Sequence, residues 1–267
     1  MIKTNQITEA LQKLRKKSPL VHNITNYVVM NNTANALLSV GASPVMAHAI
    51  NEVEDMVGIA SSLVINMGTL SEKWVDAMIL AGKKADERAI PVVFDPVGVG
   101  ATPYRTQVAQ QIIEECKPNV IQGNASEIMA LSNSNIKTKG VDSTVSSNAA
   151  LDSAKLLAKS TNTVVVVSGE TDYITNRELV VSINNGNTIM AKVTGMGCTA
   201  TAIIGAFIGA EEDLFIATVS AMAIMGIAGE MASKVSEGPG SMQMNFIDQL
   251  YKISKIDIEQ RLKMDNE

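Results

Sequence analysis

Thr163-Val164-Val165-Val166-Val167-Ser168-Gly169 is an unbroken β-branched run that stops on a hydroxyl and a glycine. β-Branched side chains favour strands. A run without polar alternation fits a strand buried on both faces, the condition of a parallel sheet covered by helices. Three further runs share the pattern. Ser62-Leu63-Val64-Ile65-Asn66 leads into Met67-Gly68-Thr69, Ile90-Pro91-Val92-Val93-Phe94 into Asp95-Pro96, and Val120-Ile121 into Gln122-Gly123-Asn124. Helix-like segments alternate with them, so the expected fold class is α/β, with a mainly parallel central sheet and helices on both faces. Leu179-Val180-Val181-Ser182-Ile183 and Thr188-Ile189-Met190-Ala191-Lys192-Val193 flank Asn184-Asn185-Gly186-Asn187, which predicts a hairpin as an antiparallel addition. Nearly every buried run ends in Gly, Asn, Asp or Ser, and ligands of open α/β sheets bind beyond the carboxyl ends of the strands. These polar ends are expected to gather along one edge of the sheet as a site.

The chain of 267 residues has no Pro- or Ser-rich linker and no internal repeat, which predicts one domain over 1–267. Its most loop-like stretch is the polar segment 132–147. A net charge of −5 argues against a nucleic-acid partner, and 3% aromatic residues leave little for base stacking. Cys116 and Cys198 lie far apart in sequence, so the expected compartment is the reducing cytoplasm rather than one that supports a disulfide framework. Near the amino terminus Ile7, Ala10, Leu11 and Leu14 recur at helical spacing, with Lys13, Arg15, Lys16 and Lys17 toward the end of the helix. This reads as a structural helix, not a targeting segment. The apolar stretch 214–229 falls short of the roughly 20 residues a membrane span needs. It reads as a core helix, and no membrane partner is expected.

Val193-Thr194-Gly195-Met196-Gly197-Cys198, followed by Thr199-Ala200-Thr201-Ala202-Ile203-Ile204, reads as a strand meeting a glycine turn and an apolar helix. The free N–H groups and dipole of such a helix start form an anion site, and glycines let the backbone approach the anion. The same residues also read as an ordinary strand-to-helix turn. Cys198, at a helix N-terminus, is expected either to have a lowered pKa and act as base or nucleophile, or to be a small residue tolerated there. Asp95 reads as a Mg²⁺ ligand or as a turn starter before Pro96. Gly98-x-Gly100 is a weak dinucleotide echo, because Pro103 stands where the third glycine belongs. Asn124-Ala125-Ser126-Glu127 fits a capping box, with Glu127 alternatively near metal-bound phosphates. Ser168-Gly169-Glu170-Thr171-Asp172 and Gly238-Pro239-Gly240-Ser241 read as phosphate-facing or simply polar loops. Zinc-protease, nucleophile-elbow, Walker and protein-kinase signatures are missing.

Taken together, these segments resemble the hydroxyethylthiazole kinases, within the ribokinase-like superfamily. The resemblance rests on Val21-His22-Asn23-Ile24-Thr25-Asn26, Thr33-Ala34-Asn35, Gly41-Ala42-Ser43-Pro44-Val45-Met46 and Asn66-Met67-Gly68-Thr69-Leu70. It continues through Asp95-Pro96-Val97-Gly98-Val99-Gly100-Ala101-Thr102, residues 118–127 and residues 193–198, in the family's order. It implies transfer of a phosphoryl group from ATP, with Mg²⁺, to the hydroxyl of 4-methyl-5-(2-hydroxyethyl)thiazole, in a homotrimer with interfacial sites. It places Asn26, the backbone at Val28, Met46 and Gly68 around the thiazole. It places Gln122, Asn124, Ser168 and Thr194 toward ATP, and Asp95 and Glu127 at the metal. Gly195, Gly197 and Cys198 would form the catalytic turn, with Gly195 also near the substrate alcohol. Two positions differ from the wider pattern. Gln122 stands where related kinases carry Arg and lacks a guanidinium's bidentate grip on phosphate. Cys198 stands where the superfamily has an Asp base. A dehydratase of the same superfamily and a non-catalytic nucleotide sensor are the competing readings.

Overall fold

The computed structural model describes residues 1–132 and 147–266, so the interior of the polar 132–147 segment lies outside the described residues. The strands are β1 (Leu20–Ile24), β2 (Ser43–Val45), β3 (Ser62–Asn66), β4 (Val92–Asp95), β5 (Val120–Asn124), β6 (Val164–Ser168), β7 (Asp172–Thr175), β8 (Val180–Ile183) and β9 (Met264–Asn266). The helices are α1 (Thr4–Lys17), α2 (Met30–Val40), α3 (Val53–Ile59), α4 (Glu72–Glu87), α5 (Pro103–Cys116), α6 (Ala125–Ser132), α7 (Ser147–Thr161), α8 (Met196–Ile208), α9 (Leu214–Ser233), α10 (Pro239–Lys252) and α11 (Lys255–Arg261). One sheet runs β2-β1-β3-β4-β5-β6-β7-β8-β9. Its first six strands are parallel and the last three antiparallel.

Successive side chains of a strand point to opposite faces, and here both faces are covered. Val64, Val93, Val120, Val164 and Val166 join one core with residues of α1, α2, α8, α9 and α10. Leu63, Ile65, Phe94, Ile121, Val165 and Val167 join a second with residues of α3, α4, α5 and α7. That two-sided burial is why the strand runs show no polar alternation. At the amino end, α1 buries Ile7, Ala10, Leu11 and Leu14 and carries Arg15, Lys16 and Lys17 in its last turn, as its spacing predicts.

Two expectations need correction. The hairpin across 179–193 does not form. β8 pairs with β7 on one side and β9 on the other, so neither of its edges is open to a further strand. Thr188–Lys192 instead winds into a 3-10 helix, with Asn187 Oδ1 accepting the Ile189 N–H at 3.1 Å. The glycine turn is therefore entered from a 3-10 helix and not from a strand. Second, α9 is 20 residues long and, by length and composition alone, apolar enough to cross a membrane. Its most apolar stretch is 78% buried within this chain. Its small residues allow close packing: Gly226 lies against Asn185, and Gly229 against Met190.

Candidate active site

β3 and β4 are parallel neighbours in a register that pairs Asn66 with Asp95 at their carboxyl ends. Both side chains are buried, and buried polar groups need partners. Asn66 Nδ2 donates to Asp95 Oδ2 at 2.7 Å. Asn66 Oδ1 accepts from Asn26 Nδ2 at 2.8 Å and from the Gly68 N–H at 3.0 Å. Asn26 Oδ1 in turn accepts the Val28 N–H at 3.1 Å, and its Nδ2 lies 3.5 Å from Cys198 Sγ. Four residues that the resemblance assigns to substrate or catalysis (Asn26, Val28, Gly68 and Cys198) thus converge on one bonded cluster. Gly68 has no room for a side chain, since a Cβ there would sit 2.5 Å from Asn26 Nδ2. Met46 follows β2, one strand further out along the same edge, and is half-buried.

The same network continues toward the groups expected to face ATP and metal. Thr201, fully buried on α8, places Oγ1 2.8 Å from Asp95 Oδ2, 2.5 Å from Gln122 Oε1 and 3.1 Å from the Gly197 carbonyl. Gln122 Nε2 donates to Ser168 Oγ at 3.0 Å, so this amide is spent inside the sheet edge. Glu127 realises the capping box: its Oε2 accepts the Asn124 N–H at 2.8 Å, while Asn124 Oδ1 accepts the Glu127 N–H at 3.0 Å. Its second oxygen takes the Gly98 N–H at 2.8 Å. Cap and cross-strand contact therefore coexist in one carboxylate.

Burial, and secondarily the Glu127 charge, pushes Asp95 up to about 8. Burial also raises Glu127, against the backbone N–H bonds that lower it. A hydroxyl carries one proton. One arrangement satisfies the two side-chain oxygens beside Thr201 together: a protonated Asp95 donates to Thr201, which donates to Gln122. Two buried carboxylates whose ionised forms are disfavoured fit a divalent cation that would neutralise both. Among the described residues no cluster of three or more His, Cys, Asp or Glu is gathered for a metal. Mg²⁺ held by one or two carboxylates plus phosphate oxygens matches that donor set.

The glycine turn places Gly195 at φ 81°, a left-handed backbone that glycine adopts without strain, with Val29 Cγ1 2.5 Å from where a Cβ would stand. A Cβ on Gly197 would meet nothing within 4 Å. Thr194 precedes the turn and is exposed. The expectation of a lowered Cys198 pKa is overturned. Burial first, then the Asp95 charge, pushes the thiol up to about 12, against lowering contacts from Asn66 and Asn26. A helix N-terminus is worth about 1 kcal/mol in most settings, too little to offset that environment. Cys198 holds its proton at neutral pH.

Sequence reading missed three residues. Asn66 carried a signal, since it ends a strand run just as Asp95 and Asn124 do. Thr201 offered less, a hydroxyl one helical turn beyond Gly197 in an apolar helix. Arg105, whose guanidinium reaches both neighbouring loops, offered none.

A mainly parallel sheet whose carboxyl edge joins two buried carboxylates to a glycine-led helix start is a ribokinase-like fold with a candidate site at that edge. A ribokinase-like superfamily protein of Enterococcus faecalis shares this fold, with a TM-score of 0.66 at 12% identity over 95% of this chain and 96% of that one. The hydroxyethylthiazole kinase family model matches residues 11–256, and the chain belongs to that family, phosphotransferases of thiamine salvage. The hydroxyethylthiazole kinase of Syntrophus aciditrophicus is 53% identical over 96% of this chain and 95% of its own. The structure of the hydroxyethylthiazole kinase from Pyrococcus horikoshii superposes with a TM-score of 0.92 at 40% identity, covering 98% and 99% of the two chains.

Proposed function

We propose that phosphoryl transfer in this chain runs from Mg-ATP to the side-chain hydroxyl of 4-methyl-5-(2-hydroxyethyl)thiazole at the edge formed by β1, β3, β4 and α8. The observation that carries this reading is the unbroken hydrogen-bonded line Asn26–Asn66–Asp95–Thr201–Gln122, which joins the pocket side to the carboxylate side. Asn26, Gly68, the backbone at Val28 and the polarisable Met46 sulfur would hold the thiazole. Asp95 and Glu127 would hold Mg²⁺, which when bound neutralises charge on the phosphates. Asn124, Gln122, Ser168 and Thr194 border the nucleotide side, with Gln122 acting through Ser168.

Gly197 and Cys198 lie in the first turn of α8, where backbone N–H groups have no intrahelical acceptor. They supply donors for the oxygens of the transferring group, the preorganised stabilisation on which phosphoryl transfer chiefly depends. A protonated Cys198 is not a standing base; the alcohol's proton passes to solvent water as the new O–P bond forms and the bond from the γ-phosphorus to the departing ADP oxygen breaks. The homotrimer reading is supported by the exposed apolar side chains of Tyr27, Val28, Leu38, Ile50 and Ile59 near the β1–β2 edge. A cytoplasmic location is supported by the two free cysteines.

The test is direct. The protein is mixed with Mg-ATP and the thiazole alcohol, and the products are read by mass spectrometry. Thiazole phosphate with thiazole-dependent ADP is expected; tight ATP binding without turnover would leave a nucleotide sensor instead.

A further inference from the structure

Beyond Asn66 and Asp95 the two neighbouring strands part, and the carbonyls of the loops that follow need new donors. One side chain supplies them. Arg105, in the first turn of α5, donates from Nη1 to the Met67 carbonyl at 2.7 Å and the Val97 carbonyl at 2.6 Å, and from Nη2 to the Gly68 carbonyl at 2.7 Å. Met67 and Gly68 belong to the loop on the pocket side. Val97 belongs to the loop that follows Asp95, and its neighbour Gly98 gives its N–H to Glu127. The Gly68 peptide is held from both ends: its carbonyl points to Arg105 and its N–H to Asn66 Oδ1.

We infer that Arg105 is a positioning residue for phosphoryl transfer, a planar clamp that sets the distance between the alcohol pocket and the carboxylate pair. It acts through the backbones of residues 67–68 and 97–98 and does not itself reach the reacting atoms. The guanidinium suits the task because its rigid fork presents several donors in one plane to acceptors on two loops. A lysine offers a single nitrogen on a flexible stem, without the fixed plane that lets Nη1 and Nη2 hold the Met67, Val97 and Gly68 carbonyls together. The inference rests on the proposed transfer reaction, so the wild-type assay is its internal control.

The experiment compares wild type, Arg105→Ala and Arg105→Lys in kcat, in KM for the thiazole alcohol and in thermal unfolding. Misplacing reacting groups by an ångström costs about 100-fold, so both variants, while folded, are expected to lose kcat/KM on that scale. The KM for the alcohol should rise as well as kcat falling, because the Gly68 loop is freed. Low concentrations of guanidinium or methylguanidinium should restore part of the turnover of Arg105→Ala, whereas methylammonium and sodium at equal ionic strength should not. If Arg105→Ala does not fold, Arg105→Lys carries the test. Near-wild-type kcat/KM in a folded variant, or rescue by methylammonium as good as by guanidinium, overturns the inference. A wild-type protein that makes no thiazole phosphate overturns the reaction itself, a separate outcome.

Discussion

Thr201 Oγ1 and Asp95 Oδ2 lie 2.8 Å apart, although 106 residues separate them in sequence. The contact ties the second turn of α8 to the carboxyl end of β4, so the glycine turn and the carboxylate pair are registered by one buried hydroxyl. Gln122 Oε1 shares the same hydroxyl, and through it Ser168 is tied in.

Replacing that hydroxyl at constant shape isolates its role. Thr201→Val leaves Asp95 and Gln122 each short of a buried partner, which costs about 1–3 kcal/mol. Thermal or urea unfolding should show the loss. A variant as stable as wild type would mean the network repacks around the methyl group.

Gly195 and Gly197 separate fold from chemistry. A side chain at Gly197 meets open space, so Gly197→Val should unfold at nearly the wild-type temperature and yet lose about 100-fold or more in turnover, the scale of one lost anion-hole donor. Gly195→Val, at φ 81° and against Val29, should be destabilised as well. Near-normal turnover in folded Gly197→Val would remove the turn from the mechanism.

With its thiol pushed up to about 12, Cys198 should alkylate slowly at neutral pH, and the rate should keep climbing well above pH 9. Cys198→Ala should slow turnover without abolishing it. Complete loss in a folded Cys198→Ala protein would promote the thiol to an essential base.

Asp95 sets a pH dependence of stability. Its folded pKa, about 8, lies above its ordinary value of 3.8. The folded state therefore keeps a proton that the unfolded chain releases, and the stability this contributes below pH 3.8 is lost progressively as pH rises through about 8. Unfolding temperatures measured across that window without Mg²⁺ should fall more for wild type than for Asp95→Asn. Mg²⁺ should raise the wild-type midpoint more at the alkaline end than at the acid end. Parallel pH profiles for the two proteins would show that Asp95 is already ionised in the fold.

The sequence by itself determined the four buried parallel strands β3, β4, β5 and β6, the polar residues at their carboxyl ends, and the capping pair Asn124–Glu127. Each is a local fact: β-branched runs such as 163–167 have nowhere to go but a doubly covered sheet, and a strand that ends in Asn66, Asp95 or Asn124 carries its polar group to the carboxyl edge. Tertiary structure alone decided the rest. The 188–192 segment became a 3-10 helix because β7 and β9 had already taken both edges of β8. The Cys198 thiol is pushed up because packing leaves it half-buried beside Asp95, an environment no helix-start rule registers. Arg105 became the link between two loops because parallel strands diverge past their last shared pair, leaving carbonyls that only a folded neighbour can satisfy. Periodicity and capping depend on near neighbours in the chain. Desolvation, and the sharing of one donor among distant acceptors, exist only once the sheet has closed.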